Sequence, residues 1–336
     1  MMQTIKGLSA PVAVWVAALL LAGCAGFPTT AEQVGQATPA APELEIQSWR
    51  TEQGAKVMFV PSPALPMLDV RLVMDAGSAR DGDQPGVAAL TSALLGEGAE
   101  GLSVDDIARG FEDRGARFST GSYQDMGVIS LRTLSRPRWR DDAVDLLARV
   151  IGTPTFPEDA LERIRTSALQ GLKMEKQVPG PQVNKAFQRT LFGDHPYGHP
   201  QSGTLESLPG IERDDLVAFH QRYYAAGNAV IALVGDVSRE QAEAIAEQLS
   251  EALPRGDAAP ELARAERLKA RVTEHVDFPS NQTHILIGNQ ATWRGNPDHV
   301  PLYVGNYILG GGGFASLLTQ KVREEKGYVY GVSSFF

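Results

Sequence analysis

The chain has 336 residues, a formal net charge of −9 and a hydrophobic content of 43%. This length is sufficient for two domains with separate cores. The negative charge argues against nucleic-acid binding, which requires a basic face to neutralise phosphates. A charged content of 21% is ordinary for a folded globular protein, which excludes a disordered or membrane-embedded body.

The N-terminus has the features of a targeting segment. An apolar stretch over 11–21 is too short to span a bilayer comfortably and ends in Leu-Ala-Gly-Cys, which resembles a bacterial lipobox. Cys24 is the only cysteine. We therefore predict a lipoprotein signal peptide over 1–24, with acylation of Cys24 and anchoring in the outer membrane, facing the periplasm. The alternative is a plain secretory signal followed by a chance cysteine.

A flexible tether over 25–42, rich in Ala, Thr, Pro and Gln, leads into strand and helix patterns. The apolar patterning predicts strands over 44–49, 56–60, 68–74, 116–122, 128–134 and 229–234. It predicts helices over 86–95, 104–113, 141–151, 157–175, 181–192, 214–224 and 239–253. These elements form a predicted first domain over 43–255, and a Pro- and Ala-rich linker over 256–269 follows it.

The order of these patterns then begins again. A predicted strand at 283–287, a Trp-Arg-Gly-Asn-Pro loop, a helix at 301–309 and a glycine run repeat the order found over 70–98. Few residues are identical, but the same order of elements indicates an internal duplication. We therefore expect an α+β fold with two duplicated domains, each with an antiparallel-rich sheet packed against helices. The second copy, 270–336, is incomplete in this prediction.

Five segments in a fixed order resemble the M16 zinc peptidases, the family of insulinase, pitrilysin and the mitochondrial processing peptidases. The segments are 70–81, the helix after Gly86, His-Pro-Tyr-Gly at 195–198, 224–236 and the glycine-rich 310–330. The resemblance extends from about residue 50 to the end of the chain. It implies M16-type domains and substrates that are peptides.

In M16 peptidases, an inverted H-x-x-E-H motif on one helix supplies two zinc-binding histidines and the general base, and a later glutamate is the third ligand. The resemblance places Ala89 and Ala93 at the histidine positions and Ser92 at the position of the base. The third ligand falls near Gln170 or Gly171. Because a methyl group has no lone pair to give a metal, we expect no zinc in this chain.

Arg323 and Tyr330 match an arginine and a tyrosine that the second half of M16 peptidases presents to the substrate. The resemblance implies that both donate hydrogen bonds to the substrate carbonyl as negative charge develops there. Their spacing alone equally allows a solvated arginine and a packed tyrosine. A different metal site would need His195 and His199 on one helix face, and the proline and glycine between them disfavour a helix.

The resemblance implies a division of labour in which one M16 chain carries zinc and another has lost it. We predict a non-catalytic, lipid-anchored subunit that forms a heterodimer with an active, zinc-bearing M16 subunit and contributes Arg323 and Tyr330 to peptide hydrolysis. Zinc is expected only in the partner. The alternatives are a non-proteolytic envelope scaffold or peptide-binding lipoprotein and, less favoured by the residues, an active peptidase with a different metal site.

Overall fold

The computed structural model describes residues 44–293 and 295–336; the predicted signal peptide, its Cys24 and the tether lie outside the described residues. The strands are β1 Gln47–Arg50, β2 Lys56–Pro61, β3 Met67–Met74, β4 Gly98–Ala99, β5 Leu102–Ser103, β6 Arg117–Ser122, β7 Gly127–Leu134 and β8 Ala229–Gly235. The α-helices are α1 Val87–Leu94, α2 Val104–Glu112, α3 Pro137–Gly152, α4 Glu158–Glu175, α5 Pro179–Phe192, α6 Arg213–Tyr223, α7 Arg239–Ala252 and α8 His299–Asn306. No helix in the described ranges is long and apolar enough to cross a bilayer.

Six strands form one sheet in the order β1-β2-β8-β3-β7-β6, and β4 pairs with β5 in a separate short ribbon. All neighbouring pairs of the large sheet are antiparallel except β2 and β8, which are parallel. The strand β8 follows β7 by almost a hundred residues but inserts between β2 and β3. The predicted α+β class with an antiparallel-rich sheet is confirmed.

The two faces of the sheet differ because side chains alternate along each strand. On β3, Leu68, Val70 and Leu72 are buried beneath the helices. The residues between them are polar: Asp69 accepts two hydrogen bonds, of 2.6 and 3.0 Å, from the guanidinium of Arg132 on β7. One face of the sheet therefore carries the core, and the other is a polar surface.

Several helix starts follow from local sequence. Ser103 and Asp106 form a reciprocal capping box at the start of α2, and Ser238 and Gln241 form another at the start of α7. The helix α3 begins four residues before the predicted start at 141, because Pro137 occupies the first turn, where its missing N–H is no loss.

The chain after α7 differs from the part before it. The described residues beyond β8 form no strand, and the strand predicted over 283–287 is wrong. Ile287 is 93% exposed, so nothing covers its apolar side chain. A strand is stabilised by backbone pairing with a neighbour and by burial of one face, and neither is present here. The predicted helix over 301–309 is present as α8, and a π-helical turn, Tyr307–Gly311, continues it.

Candidate functional site

The loop between β3 and α1 is fixed against the β6–β7 turn. The amides of Ser78 and Ala79 donate to the carbonyls of Tyr123 and Gln124 at 2.9 and 2.8 Å. A Cβ on Gly77 would lie 2.4 Å from three backbone atoms of that turn, so only glycine permits this approach. The entry to α1 is therefore set by backbone contacts.

Asp81 fixes the N-terminus of α1. Its carboxylate accepts hydrogen bonds from the amides of Gly86 at 2.7 Å and Ala88 at 2.9 Å, two donors that the helix itself leaves unpaired. Asp81 is buried, and this burial raises its pKa to about 7, although the two amides act in the opposite direction. Arg80, also buried, forms a two-pronged ion pair with Asp75 and braces the same loop.

The helix α1 presents the two predicted histidine positions to the outside. Its other residues are all buried, whereas Ala89 is half-buried and Ala93 is exposed. The two alanines are four positions apart and so lie on one helix face, where side chains could reach a common ligand. Ser92, at the position of the general base, is buried.

The region of the predicted third ligand lies on α4, a helix that packs against α1. Gln170 and Gly171 are both exposed there, near the C-terminal end of that helix. A cavity of about 380 Å³ opens one turn further along, beside the ion pair between Lys185 and Glu175, whose atoms are 2.7 Å apart.

The strand β6 borders α1 and is an edge of the large sheet. Thr120 joins the two elements, since its Oγ1 donates a hydrogen bond of 2.8 Å to the carbonyl of Ser92. Gly96, just after α1, allows the ring of Phe118 to approach to 3.1 Å of where a Cβ would stand. The outer edge of β6 pairs with no other strand of the described residues, which leaves its backbone groups available.

The residues at this face do not fit zinc. Two alanines have no donor atom, and the buried Ser92 hydroxyl and an exposed Gln170 amide are not the nitrogen, sulfur and carboxylate ligands that zinc takes. Within 44–293 and 295–336, no group of three or more His, Cys, Asp or Glu side chains is arranged to hold a metal ion.

The histidine pair considered from the sequence does not form a metal site with other ligands of the described residues either. His195 contacts the carbonyl of Ala263 through Nε2 at 2.8 Å, and its Nδ1 accepts from the amide of Tyr197. Residues Pro196–Gly198 form a 3₁₀ turn between the two histidines and not the α-helix that would put both on one face. His199 is half-buried, and this burial lowers its pKa.

The second predicted group, Arg323 and Tyr330, does come together. The guanidinium carbon of Arg323 lies 5.5 Å from the centre of the Tyr330 ring and 4.9 Å from that of Phe314. Both distances are typical of cation–π contacts. Within the described residues, no hydrogen bond or ion pair joins this cluster to α1. The sequence reasoning did not single out Phe314, whose only signal is its place directly after the glycine run.

Comparisons with known proteins identify the family. The profile of insulinase, peptidase family M16, matches residues 56–205, and the profile of the peptidase M16 inactive domain matches residues 210–336. An uncharacterized zinc protease of Mycobacterium leprae is 28% identical over 285 residues, which cover 84% of this chain and 63% of that protein. This chain thus spans somewhat less than two thirds of that relative's length.

Solved structures agree with these matches. The structure of a peptidase M16 inactive domain from Pseudomonas fluorescens is 47% identical with a TM-score of 0.82, and the match covers 87% of this chain and 71% of that one. The periplasmic protease PqqL from Escherichia coli shares the fold at 18% identity and a TM-score of 0.59, over 66% of this chain and 25% of that one. With both M16 profiles matched in order and a relative of nearly half-identical sequence, this chain belongs to the M16 peptidase family.

Proposed function

We propose that this protein is a non-catalytic M16 subunit that pairs with an active, zinc-bearing M16 subunit in the cell envelope. In the pair it contributes Arg323 and Tyr330 to the hydrolysis of peptides. The observation that carries the proposal is the outer face of α1. That face keeps the exposure and spacing of a metal site, yet its two residues, Ala89 and Ala93, have only methyl groups.

The framework around this face supports a role in a complex. Asp81 caps α1, Arg80 and Asp75 brace the loop before it, and Thr120 ties it to β6. These contacts fix the outer face of α1, which gives a partner subunit a defined surface to bind. The zinc chemistry is assigned to the partner, since the described residues include no group of three or more His, Cys, Asp or Glu side chains arranged to hold a metal ion.

The cluster of Arg323 and Tyr330 supports a role in stabilising the transition state. A guanidinium has several N–H donors in a fixed plane, and a phenol adds one O–H donor. Placed at a scissile carbonyl, such donors stabilise the negative charge that develops as the carbonyl becomes tetrahedral. Tyr330 is 90% exposed, so its hydroxyl is accessible to a substrate or to a partner's site.

The edge strand β6 supports an extended peptide as the substrate. An extended chain can add to an open sheet edge through main-chain hydrogen bonds, which are independent of side-chain identity. The strand β6 contacts α1, so a peptide bound along its outer edge would lie near the helix that carries the two alanines. This arrangement favours unfolded or short peptides over folded proteins.

The envelope location is part of the proposal and is supported by two observations. The sequence Leu-Ala-Gly-Cys at 21–24 fits a lipobox, and the related PqqL is a periplasmic protease. Lipid on Cys24 would hold the protein at a membrane surface, in our proposal the outer membrane. Mass spectrometry of the mature N-terminus is expected to find an acylated Cys24, and a mature chain that begins at another residue would contradict the anchor.

The central test compares the mature chain alone, a zinc-bearing M16 partner from the same cell alone, and the two together. Each is assayed for cleavage of an internally quenched, unstructured peptide. We expect full turnover only in the mixture. Arg323→Ala in the complex should lower kcat about 100-fold, the order of magnitude for loss of one oxyanion donor. Lys321→Ala, on the same helical turn and paired with Glu325, is the control and should leave turnover unchanged.

Two outcomes would overturn the proposal in different ways. Chelator-sensitive turnover by this chain alone would show that it is itself an active peptidase. Equal activity of the partner with and without this chain would remove the catalytic contribution and favour the envelope scaffold instead.

A further inference from the structure

Arg323 lies between two aromatic rings that are themselves open to solvent. Phe314 is 76% exposed and Tyr330 is 90% exposed, whereas the side chain of Arg323 is only 29% exposed. The arginine is therefore mostly covered by its surroundings, while the two rings that it contacts stay largely open to solvent. A carboxylate, that of Glu324, lies 3.7 Å from Arg323 Nε, too far for a good hydrogen bond.

The position of Phe314 is fixed by the backbone and by two buried hydroxyl groups. Gly313 has φ +61°, in the left-handed region, and begins the short 3₁₀ turn Gly313–Ala315 that carries the ring. Ser316 Oγ donates to the carbonyl of Gly313 at 2.8 Å and lies 3.0 Å from Thr319 Oγ1. Because Thr319 opens the turn that contains Arg323, these bonds set the distance from Phe314 to the arginine.

The glycine run lets the rest of the cluster close around this turn. A Cβ on Gly310 would lie 2.5 Å from Ser334 Oγ and 2.6 Å from Ser334 N. Asn306 Nδ2 donates to the carbonyl of Ser334 at 3.2 Å. These contacts hold the segment after Tyr330 against the end of α8. The cluster is thus a built arrangement in a part of the chain that has few buried apolar residues.

We propose that Phe314 is a positioning residue that holds the guanidinium of Arg323 in one orientation for the substrate carbonyl. This inference rests on the proposed role of Arg323 in peptide hydrolysis. A free arginine side chain has several rotatable bonds and points its donors in many directions. A ring face attracts the guanidinium through its quadrupole and restricts the plane of the five N–H groups. Phe314 contacts no substrate itself in this arrangement; it acts through Arg323.

A simpler reading is that Phe314 is an apolar residue without a role beyond local packing. Two substitutions separate the readings. Phe314→Leu keeps an apolar side chain but removes the ring face, and Phe314→Tyr keeps the ring face. Tyr328→Leu is the matched control, because Tyr328 is a 75% exposed aromatic residue beside Lys326 rather than beside Arg323.

The first measurement uses this chain alone and tests the geometry. The Cδ and Nε protons of Arg323 should show upfield ring-current shifts in its NMR spectrum. We expect Phe314→Leu to reduce these shifts, Phe314→Tyr to retain them and Tyr328→Leu to leave them unchanged. Unaltered shifts in a folded Phe314→Leu variant would show that the two side chains do not stack in solution.

The second measurement uses the complex with the zinc-bearing subunit and the quenched peptide. Phe314→Leu should lower kcat about three- to five-fold with KM nearly unchanged. Phe314→Tyr, which keeps the ring face, should have the kcat of the parent complex. In an Arg323→Ala background, Phe314→Leu should have no further effect, since its role acts through the guanidinium.

The outcomes of that experiment are distinct. If Arg323→Ala lowers kcat but Phe314→Leu does not, the positioning role is wrong and the proposed function stands. If Arg323→Ala itself has no effect, the proposed function fails. If Phe314→Leu and Phe314→Tyr are equally impaired, or if Phe314→Leu adds its full effect to Arg323→Ala, Phe314 does not act through its ring face on Arg323.

Discussion

The helices α1 and α8 hold corresponding places in the two copies of the duplicated pattern, but their surroundings differ. Six of the eight residues of α1 are buried, and none of the residues of α8 is. Both helices are rich in apolar side chains. The difference is in their neighbours: α1 packs against α4, α6, β6 and β7, whereas the main neighbour of α8 is the turn that continues it. An apolar helix pattern therefore becomes a core only where a sheet is present to receive it.

The same comparison separates two ways of fixing functional groups. In the first copy, a packed core and buried charges hold the face of α1, although that face has no metal-binding atoms. In the second copy, hydroxyl and amide contacts of Ser316, Thr319 and Asn306 hold Arg323 and Tyr330 close together. In the proposed function, the first copy supplies a fixed surface and the second copy supplies the hydrogen-bond donors.

The comparison predicts that equal truncations in the two copies have unequal effects. Leu94 in α1 is fully buried, and Leu309 after α8 is 47% exposed. Leu94→Ala should lower the free energy of unfolding by about 2–5 kcal/mol, because it leaves a cavity in the core. Leu309→Ala should change it by less than about 0.5 kcal/mol. Urea unfolding monitored by circular dichroism measures both, and similar losses would show that α8 is as well packed as α1.

The sequence predicted the first copy better than the second for a physical reason. The apolar periodicity located α1 and β3 because their buried faces are packed as the pattern requires. The strand at 283–287 had the same kind of pattern, but a pattern cannot show whether a neighbouring strand is available. The family resemblance placed Ala89 and Ala93 at the ligand positions, and the structure shows that this side of α1 is the one left open to solvent. By contrast, the stacking of Phe314 on Arg323 depends on a turn geometry that no spacing rule specifies.

The open face of α1 can be tested by supplying the missing donor atoms. Ala89→His with Ala93→His places two imidazoles one turn apart, a spacing that binds zinc on a helix. At a zinc concentration about 100 times the dissociation constant, binding to the folded state should add about 2.7 kcal/mol to the free energy of unfolding. Ala93→His alone should gain much less stability from zinc, because it supplies only one of the two imidazoles. Urea unfolding with zinc, and again with excess chelator, measures the difference.

The matching pair on α8 sharpens this test. Val300→His with Val304→His has the same spacing on an exposed helix. Because α8 is not packed against the sheet, zinc there should hold the helix locally and leave the unfolding of the first copy unchanged. If the folded α1 variant gains no stability with zinc, the face of α1 that carries positions 89 and 93 is not accessible to the metal. Equal gains in stability from both histidine pairs would remove the distinction between the two helices.

The smallest expected effect concerns two buried titratable groups of the first copy. Burial raises the pKa of Asp81 to about 7 and lowers that of His220, which contacts the carbonyl of Ile151 at 2.9 Å, to about 4. Between about pH 4.5 and 6, folded Asp81 keeps a proton that the unfolded chain loses, so its contribution to stability falls as the pH rises. Over the same range, His220 is protonated in the unfolded chain but neutral in the folded protein. Its contribution to the free energy of unfolding therefore rises with pH.

In the parent protein these two slopes, each about 1.4 kcal/mol per pH unit, oppose one another. Asp81→Asn should remove the falling slope, so the stability of this variant relative to the parent should rise by about 2 kcal/mol from pH 4.5 to 6. His220→Gln keeps an N–H that can donate to the carbonyl of Ile151. The stability of this variant relative to the parent should fall by about 2 kcal/mol from pH 4.5 to 6. Asp214→Asn, whose side chain is 94% exposed, is the control. Free energies of unfolding measured at three pH values give the slopes. If the stability of Asp81→Asn relative to the parent does not change with pH, the carboxyl group that caps α1 is ionised over the whole range. The cap of α1 would then hold a full negative charge against its two amides, which is the arrangement that hydrogen bonding alone favours and burial opposes.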